Sequence, residues 1–173
     1  MVSNNSGALH NSLIWIALDL MGGEDKSREI LRKMSECGEI IEISSIYKRY
    51  TSDARNDLSA RIEFVIRFET TMSVEQHLHL VLSLCDEGSS GLVQRSHVEM
   101  ILLTYDDTIL MSPRLTLPYP QLHTDALIIR CAAEAWGQYE HPIYQKTLSE
   151  ISKTARTVRD AEFYKQGKSL IDF

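Results

Sequence analysis

Cysteine, positive charge and long apolar runs are all scarce in this chain, and each scarcity removes a class of protein. The three cysteines, Cys37, Cys85 and Cys131, are odd in number, far apart and form no CxxC pair. That argues against a disulfide framework and against a cysteine-type zinc site. They read instead as buried free thiols of a protein from a reducing cytosol. Basic residues are outnumbered, 18 Lys and Arg against 24 Asp and Glu, for a formal net charge of −6. A nucleic-acid surface needs a basic stripe, so no nucleic-acid partner is expected. No apolar run approaches the roughly 20 residues that cross a bilayer, so no membrane association is expected either. Met1 to Ser12 lacks a basic region followed by an apolar one, which argues against a secretion signal and for a cytoplasmic location. There is no Walker-type loop to cradle a phosphate.

What is present suits one soluble domain. The 173 residues are 43% hydrophobic and 24% charged, enough to bury a real core. Residues 1–12 read as a frayed tail. Leu13 to Leu18 is a short apolar run of strand length, ended by Gly22-Gly23. Ile30, Leu31, Met34 and Cys37 recur at helical spacing, with Gly38 placed as a C′ residue. Glu39 to Tyr47 is β-branched and predicts a second strand. Lys48 to Leu58 reads as an exposed loop. Arg61 to Phe68 alternates apolar and charged residues, the pattern of a half-buried third strand.

Ser73 and Gln76 form a capping-box pair that opens a helix running to about Cys85, with Leu78, Val81, Leu82 and Cys85 inward. Gly88 to Gly91 is a loop, and Val93 to Thr104 a fourth strand. Ile109 to Met111 suggests a short strand, and Pro113 and Pro118 bracket an extended segment. Helices follow from about Thr124 to Trp136 and from Pro142 past Ile151. The charged stretch after Thr154 predicts a last helix or an arm. The order βαββαβ is that of an α+β ferredoxin-like sandwich, an antiparallel sheet with helices packed on it and extra carboxy-terminal helices. Residues 13–152 would be the domain and 153–173 a helical extension.

Three segments then carry a family resemblance. Pro113-Arg114-Leu115-Thr116-Leu117-Pro118-Tyr119-Pro120 resembles the Arg-Leu-Thr-Val-Pro-His segment of the 6-hydroxymethyl-7,8-dihydropterin pyrophosphokinase (HPPK) family. Ser44-Ser45-Ile46-Tyr47-Lys48 is similar to that family's Ser-Ser-apolar-Tyr-basic strand end, and Glu69-Thr70 closes a strand in the same place. The resemblance covers about residues 13–152. It implies transfer of a pyrophosphoryl group from ATP to a pterin in folate synthesis, with two magnesium ions. Such transfer is mostly positioning plus electrostatics.

That reaction makes demands that the sequence meets only in part. The family's Asp-x-Asp, two carboxylates on one strand face, falls on His97 and Glu99. Imidazole suits zinc, nickel or copper better than magnesium. The family's Gly-Ser-Asn turn falls on Leu18-Asp19-Leu20. The loop before the fourth strand is short and has one cation, Arg95, while Lys48, Arg49 and Arg55 remain on the other loop.

On the nucleotide side the resemblance implies Arg114, Thr116, Tyr119 and Met100, and for the pterin pocket Ile46, Glu63 and Leu127. A family arginine is replaced by Asp125. Three functions stay open: a non-catalytic relative, a working pyrophosphokinase that needs ATP and Mg2+, and an interaction module, with a homodimer formed through the carboxy-terminal extension. A nucleotide or pterin would be the small-molecule ligand.

Overall fold

The computed structural model describes residues 7–53, 55–88 and 97–172. Strands β1 (His10–Asp19), β2 (Glu39–Ile43), β3 (Ile46–Tyr50), β4 (Ala60–Thr70), β5 (Val98–Tyr105) and β8 (Ala161–Lys165) build one antiparallel sheet. Its order is β5-β1-β4-β3-β8, with β2 also paired to β4. β6 (Leu110–Met111) and β7 (Thr116–Leu117) form a separate small hairpin. Helices α1 (Gly23–Ser35) and α2 (Val74–Gly88) cover one face, and α3 (Ala126–Trp136) and α4 (Leu148–Thr154) cover the other. Among the described residues no helix is long and apolar enough to cross a membrane.

β1 is central and roofed on both sides, which is why Leu13 to Leu18 runs apolar without alternation. Its even residues Ile14, Ile16 and Leu18 enter the core under α1 and α2, and its odd residues Leu13, Trp15 and Ala17 enter the core under α3. Gly22 opens α1 at φ 75°, a left-handed position that glycine adopts without strain. Glu24 and Asp25 in the first turn and Arg32 and Lys33 in the last match the helix dipole.

Five local expectations are corrected. His10, Asn11 and Ser12 are not part of a frayed tail; they open β1 and pair with Thr70, Glu69 and Phe68 of β4. Gly38 is not a left-handed cap; a Cβ there would run into the Glu69 carbonyl oxygen, so glycine answers to close packing. The stretch Glu39 to Tyr47 is not one strand. Ser44 interrupts it, donating its N–H to the Val65 carbonyl and accepting the Val65 N–H on its hydroxyl, a side-chain substitute for the ladder. Lys48 to Tyr50 then continue in β3 instead of an exposed loop. The thiols are not all buried, since Cys37 is exposed.

The Ser73–Gln76 capping box forms as the sequence predicts, with both reciprocal hydrogen bonds. The helix it opens is turned, however: His77, Val81 and Leu84 face inward and Leu82 faces out. The second carboxy-terminal helix is shorter than its sequence pattern and starts at its own Thr147–Glu150 capping box. The stretch after Thr154 does not extend the helices. β8 adds to the exposed edge of β3, and the short 3-10 turn Gly167–Leu170 buries Leu170 in the core under α1 and α2.

Candidate functional site

Two places stand out, and both lie where the family resemblance points. The first is the sheet face beneath α3. Register places two rows of side chains across it. Glu99, Ala17, Glu63 and Tyr47 are successive cross-strand partners, and so are Asp19, Arg61 and Arg49. Acids and bases therefore sit side by side on strands whose other face is mostly apolar.

Each charge in these rows has a partner. The Arg61 guanidinium donates to Glu99 at 2.7 Å. The backbone N–H of His97 donates to the Asp19 carboxylate at 3.1 Å. Trp15 donates its indole N–H to Glu63 at 3.2 Å. Arg49 grips Asp125 with both terminal nitrogens, at 2.7 and 2.9 Å. Its Nε stands 3.5 Å from Glu63 and 3.7 Å from Asp160. Tyr47 donates its hydroxyl to Glu134 at 2.6 Å.

The electrostatics follow from burial. Glu63 is 1% exposed, and desolvation raises its pKa despite the opposing charges of Arg49 and Arg61. Burial also works against the charged forms of Arg49 and Asp125. Burial is the largest single influence on each, but their mutual hydrogen bonds together with the charges of Glu63 and Asp160 around Arg49 and the α3 amides on Asp125 outweigh it, holding the Arg49 pKa above and the Asp125 pKa below their ordinary values. Asp125 also accepts the Leu127 and Ile128 N–H groups as the N-cap of α3. Tyr47 is pushed up by burial and then by its bond to Glu134.

This face does not fit a pair of magnesium ions. Magnesium is bound by carboxylates, waters and substrate phosphates in near-octahedral geometry. Here Glu99 already holds a guanidinium and Asp19 holds a backbone amide. Among the described residues no three His, Cys, Asp or Glu side chains gather closely enough to hold a metal ion.

The second place is a cavity of about 290 Å³ at the open edge of β5. Four residues that the resemblance assigns to the nucleotide, Met100, Arg114, Thr116 and Tyr119, all line it, beneath Leu78 and Leu82 of α2. Arg114 is exposed and has no ion pair with a described residue. The cavity shares Leu78, Leu82, Arg114 and Leu115 with a neighbouring apolar groove of about 570 Å³, which adds room along α2.

The residues assigned to the pterin are not brought together. Glu63 lies on the face beneath α3, and Leu127 is buried in that same core at the start of α3. Ile46 points into the opposite core, packed with residues of α1. Arg95 lies outside the described residues, as does the rest of 89–96. Sequence reading missed the pairs Arg49–Asp125, Arg61–Glu99 and Trp15–Glu63. The available signal was charge at alternate positions of β4, a strand with neighbours on both sides.

No family model and no curated protein matches this sequence. Solved structures do match it. HPPK-DHPS of Plasmodium falciparum, in its crystal structure with SDX-DHP, is similar with a TM-score of 0.63 and 10% identity, over 84% of this chain and 44% of that one. A triple mutant of the same protein with pteroate gives 0.65 and 9% identity, over 88% and 44%. This chain spans less than half the length of those chains. Identity is so low that the likeness speaks for architecture alone: the chain has an HPPK-like fold, an antiparallel sheet with helices packed on it.

Proposed function

We propose that this chain is a divergent relative of the HPPK family that keeps the fold and has lost the transfer reaction. The observation that carries this reading is the Arg61 guanidinium on Glu99, 2.7 Å away, where the resemblance asks for a magnesium carboxylate. Pyrophosphoryl transfer needs divalent cations to neutralise the triphosphate. A fixed cation on the surviving carboxylate competes with them. His97 offers imidazole in place of the second carboxylate, and Asp125, spent on Arg49 and the α3 amides, stands in place of an arginine.

The test is direct. The full chain, ATP, Mg2+ and 6-hydroxymethyl-7,8-dihydropterin are incubated and AMP is measured. No AMP above a protein-free blank is expected, and AMP in multiples of the protein concentration overturns the reading. ATP with Mg2+ should also leave the melting temperature unchanged, because ligand binding raises stability by mass action.

One observation favours a second reading, a working pyrophosphokinase. The cavity at the β5 edge gathers Met100, Thr116 and Tyr119 with Arg114, whose guanidinium has no ion pair with a described residue. In that case ATP stabilises the chain, Arg114→Ala abolishes the effect, and His97→Asp with Glu99→Asp raises the rate. The interaction-module reading has less support. Leu170 is buried in the chain's own core and β8 pairs with its own β3, which favours an intramolecular arm over a dimer arm. Phe163 remains 56% exposed, so the solution mass of a chain lacking 155–173 separates the two.

A further inference from the structure

A cavity of about 690 Å³ lies where the segment after α4 crosses the start of α3. Its size suits a small organic ligand. The tail supplies Arg156, Thr157, Val158 and Arg159, and the approach to α3 supplies Thr124 and Leu127. We propose that this cavity binds a small aromatic phosphomonoester.

Charge is the first argument. The chain carries a net −6, yet two arginines converge here within four residues of each other. The acids in the same wall are already engaged: Asp125 by Arg49 and by the α3 amides, and Asp160 by Arg49. Neither Arg156 nor Arg159 has an ion pair with a described residue. Two guanidinium forks can hold the oxygens of a dianion bidentately, and the Thr157 hydroxyl can donate to a remaining one. The end of α3 is not the anion holder, since Asp125 already accepts its first free amides.

The second argument is the floor. Ala126 and Val158 line the cavity and are only half-buried, so both leave apolar surface open to it. An apolar floor beside a cationic wall suits a ligand with a flat hydrophobic body and one doubly charged end. Two arginines neutralise that end without a metal ion. The site is built by the tail beyond residue 152, so it does not rest on the loss-of-reaction reading, and it is separate from the cavity that holds Arg114.

The probe is phenyl phosphate, titrated calorimetrically into the full chain without divalent cations. Saturable binding is expected, at least tenfold tighter than inorganic phosphate and weakening as salt is added. Arg156→Ala with Arg159→Ala should weaken it at least tenfold. Both side chains are exposed and have no ion pair with a described residue, so this variant should keep the parental melting temperature. Arg114→Ala should leave the affinity unchanged. Amide shifts of Thr124, Leu127 and Thr157 in the unaltered chain give a readout that needs no variant. The proposal is overturned by no saturable heat at millimolar phenyl phosphate, by binding that survives loss of both arginines, or by shifts confined to the Arg114 cavity.

Discussion

The two faces of the sheet are built from the same strands and solve burial differently. Beneath α1 and α2 the strands present Ile14, Ile16, Ile62, Phe64, Ile66 and Phe68, a hydrocarbon layer that helix side chains fill. Beneath α3 the same strands present Glu63, Arg61, Arg49 and Glu99 among Trp15, Val65 and Leu103. A buried charge costs far more than a buried methylene recovers, unless it is paired and hydrogen-bonded. The apolar face therefore carries stability. The charged face holds a network that stability alone would not select.

Breaking the apolar face should do the most damage. Phe64 is fully buried, and Phe64→Ala should cost about 4 kcal/mol, measured by urea denaturation. On the charged face, Arg49→Met leaves Glu63 and Asp125 without their cation and should cost on the order of 3 kcal/mol. Adding Glu63→Gln should recover part of that loss, because an uncharged amide needs no counter-ion. No recovery would mean that Arg49 acts by packing alone.

The apolar face has its own weak point. His77 is fully buried between Phe68 and Tyr105, and neither ring nitrogen has a hydrogen-bond partner. Desolvation lowers its pKa from 6.5 to about 4. Below 6.5 the unfolded chain takes up the proton and the folded chain does not. The stability His77 allows is thus full above 6.5 and lost as pH falls towards 4. At pH 5 the loss is roughly 2 kcal/mol, and His77→Leu should flatten that part of the stability-pH curve. An unchanged slope would assign the acid sensitivity to other groups.

The smallest effects should be blind to the difference between the faces. Ser73 caps α2 on one side and Thr147 caps α4 on the other, each in a capping box. Either one changed to alanine should cost about 1 kcal/mol in the same denaturation assay. A large gap between them would show that one helix end is coupled to its face.

Local chemistry is legible in the sequence. The central strand Leu13–Leu18, the capping box at Ser73, the glycine turn at Gly22-Gly23 and the alternation along β4 all depend on a few neighbouring residues. The inward face of α2 is not legible, because Leu78 and Leu82 look as apolar as Val81 and Leu84, and only the packed sheet selects between them. The carboxy-terminal strand escapes a sequence reading because its pairing partner, β3, lies more than a hundred residues away.

For the candidate site the division is sharper. Met100, Arg114, Thr116 and Tyr119 are singled out by motif, and they do line one cavity. Ile46 belongs with Glu63 by the resemblance, although the turn at Ser44 sends it to the opposite core.

By itself the sequence determined the acidic balance of the chain and the order of its main strands and helices, and it marked His97 and Glu99 as residues to look for. Only the tertiary structure decided what those side chains face: Arg61 against Glu99, Arg49 against Asp125, and Arg156 and Arg159 over an apolar floor. The reason is range. Secondary structure is set by hydrogen bonds and side chains within a few residues, whereas a charge finds its partner across strands whose separation in the chain no local pattern records.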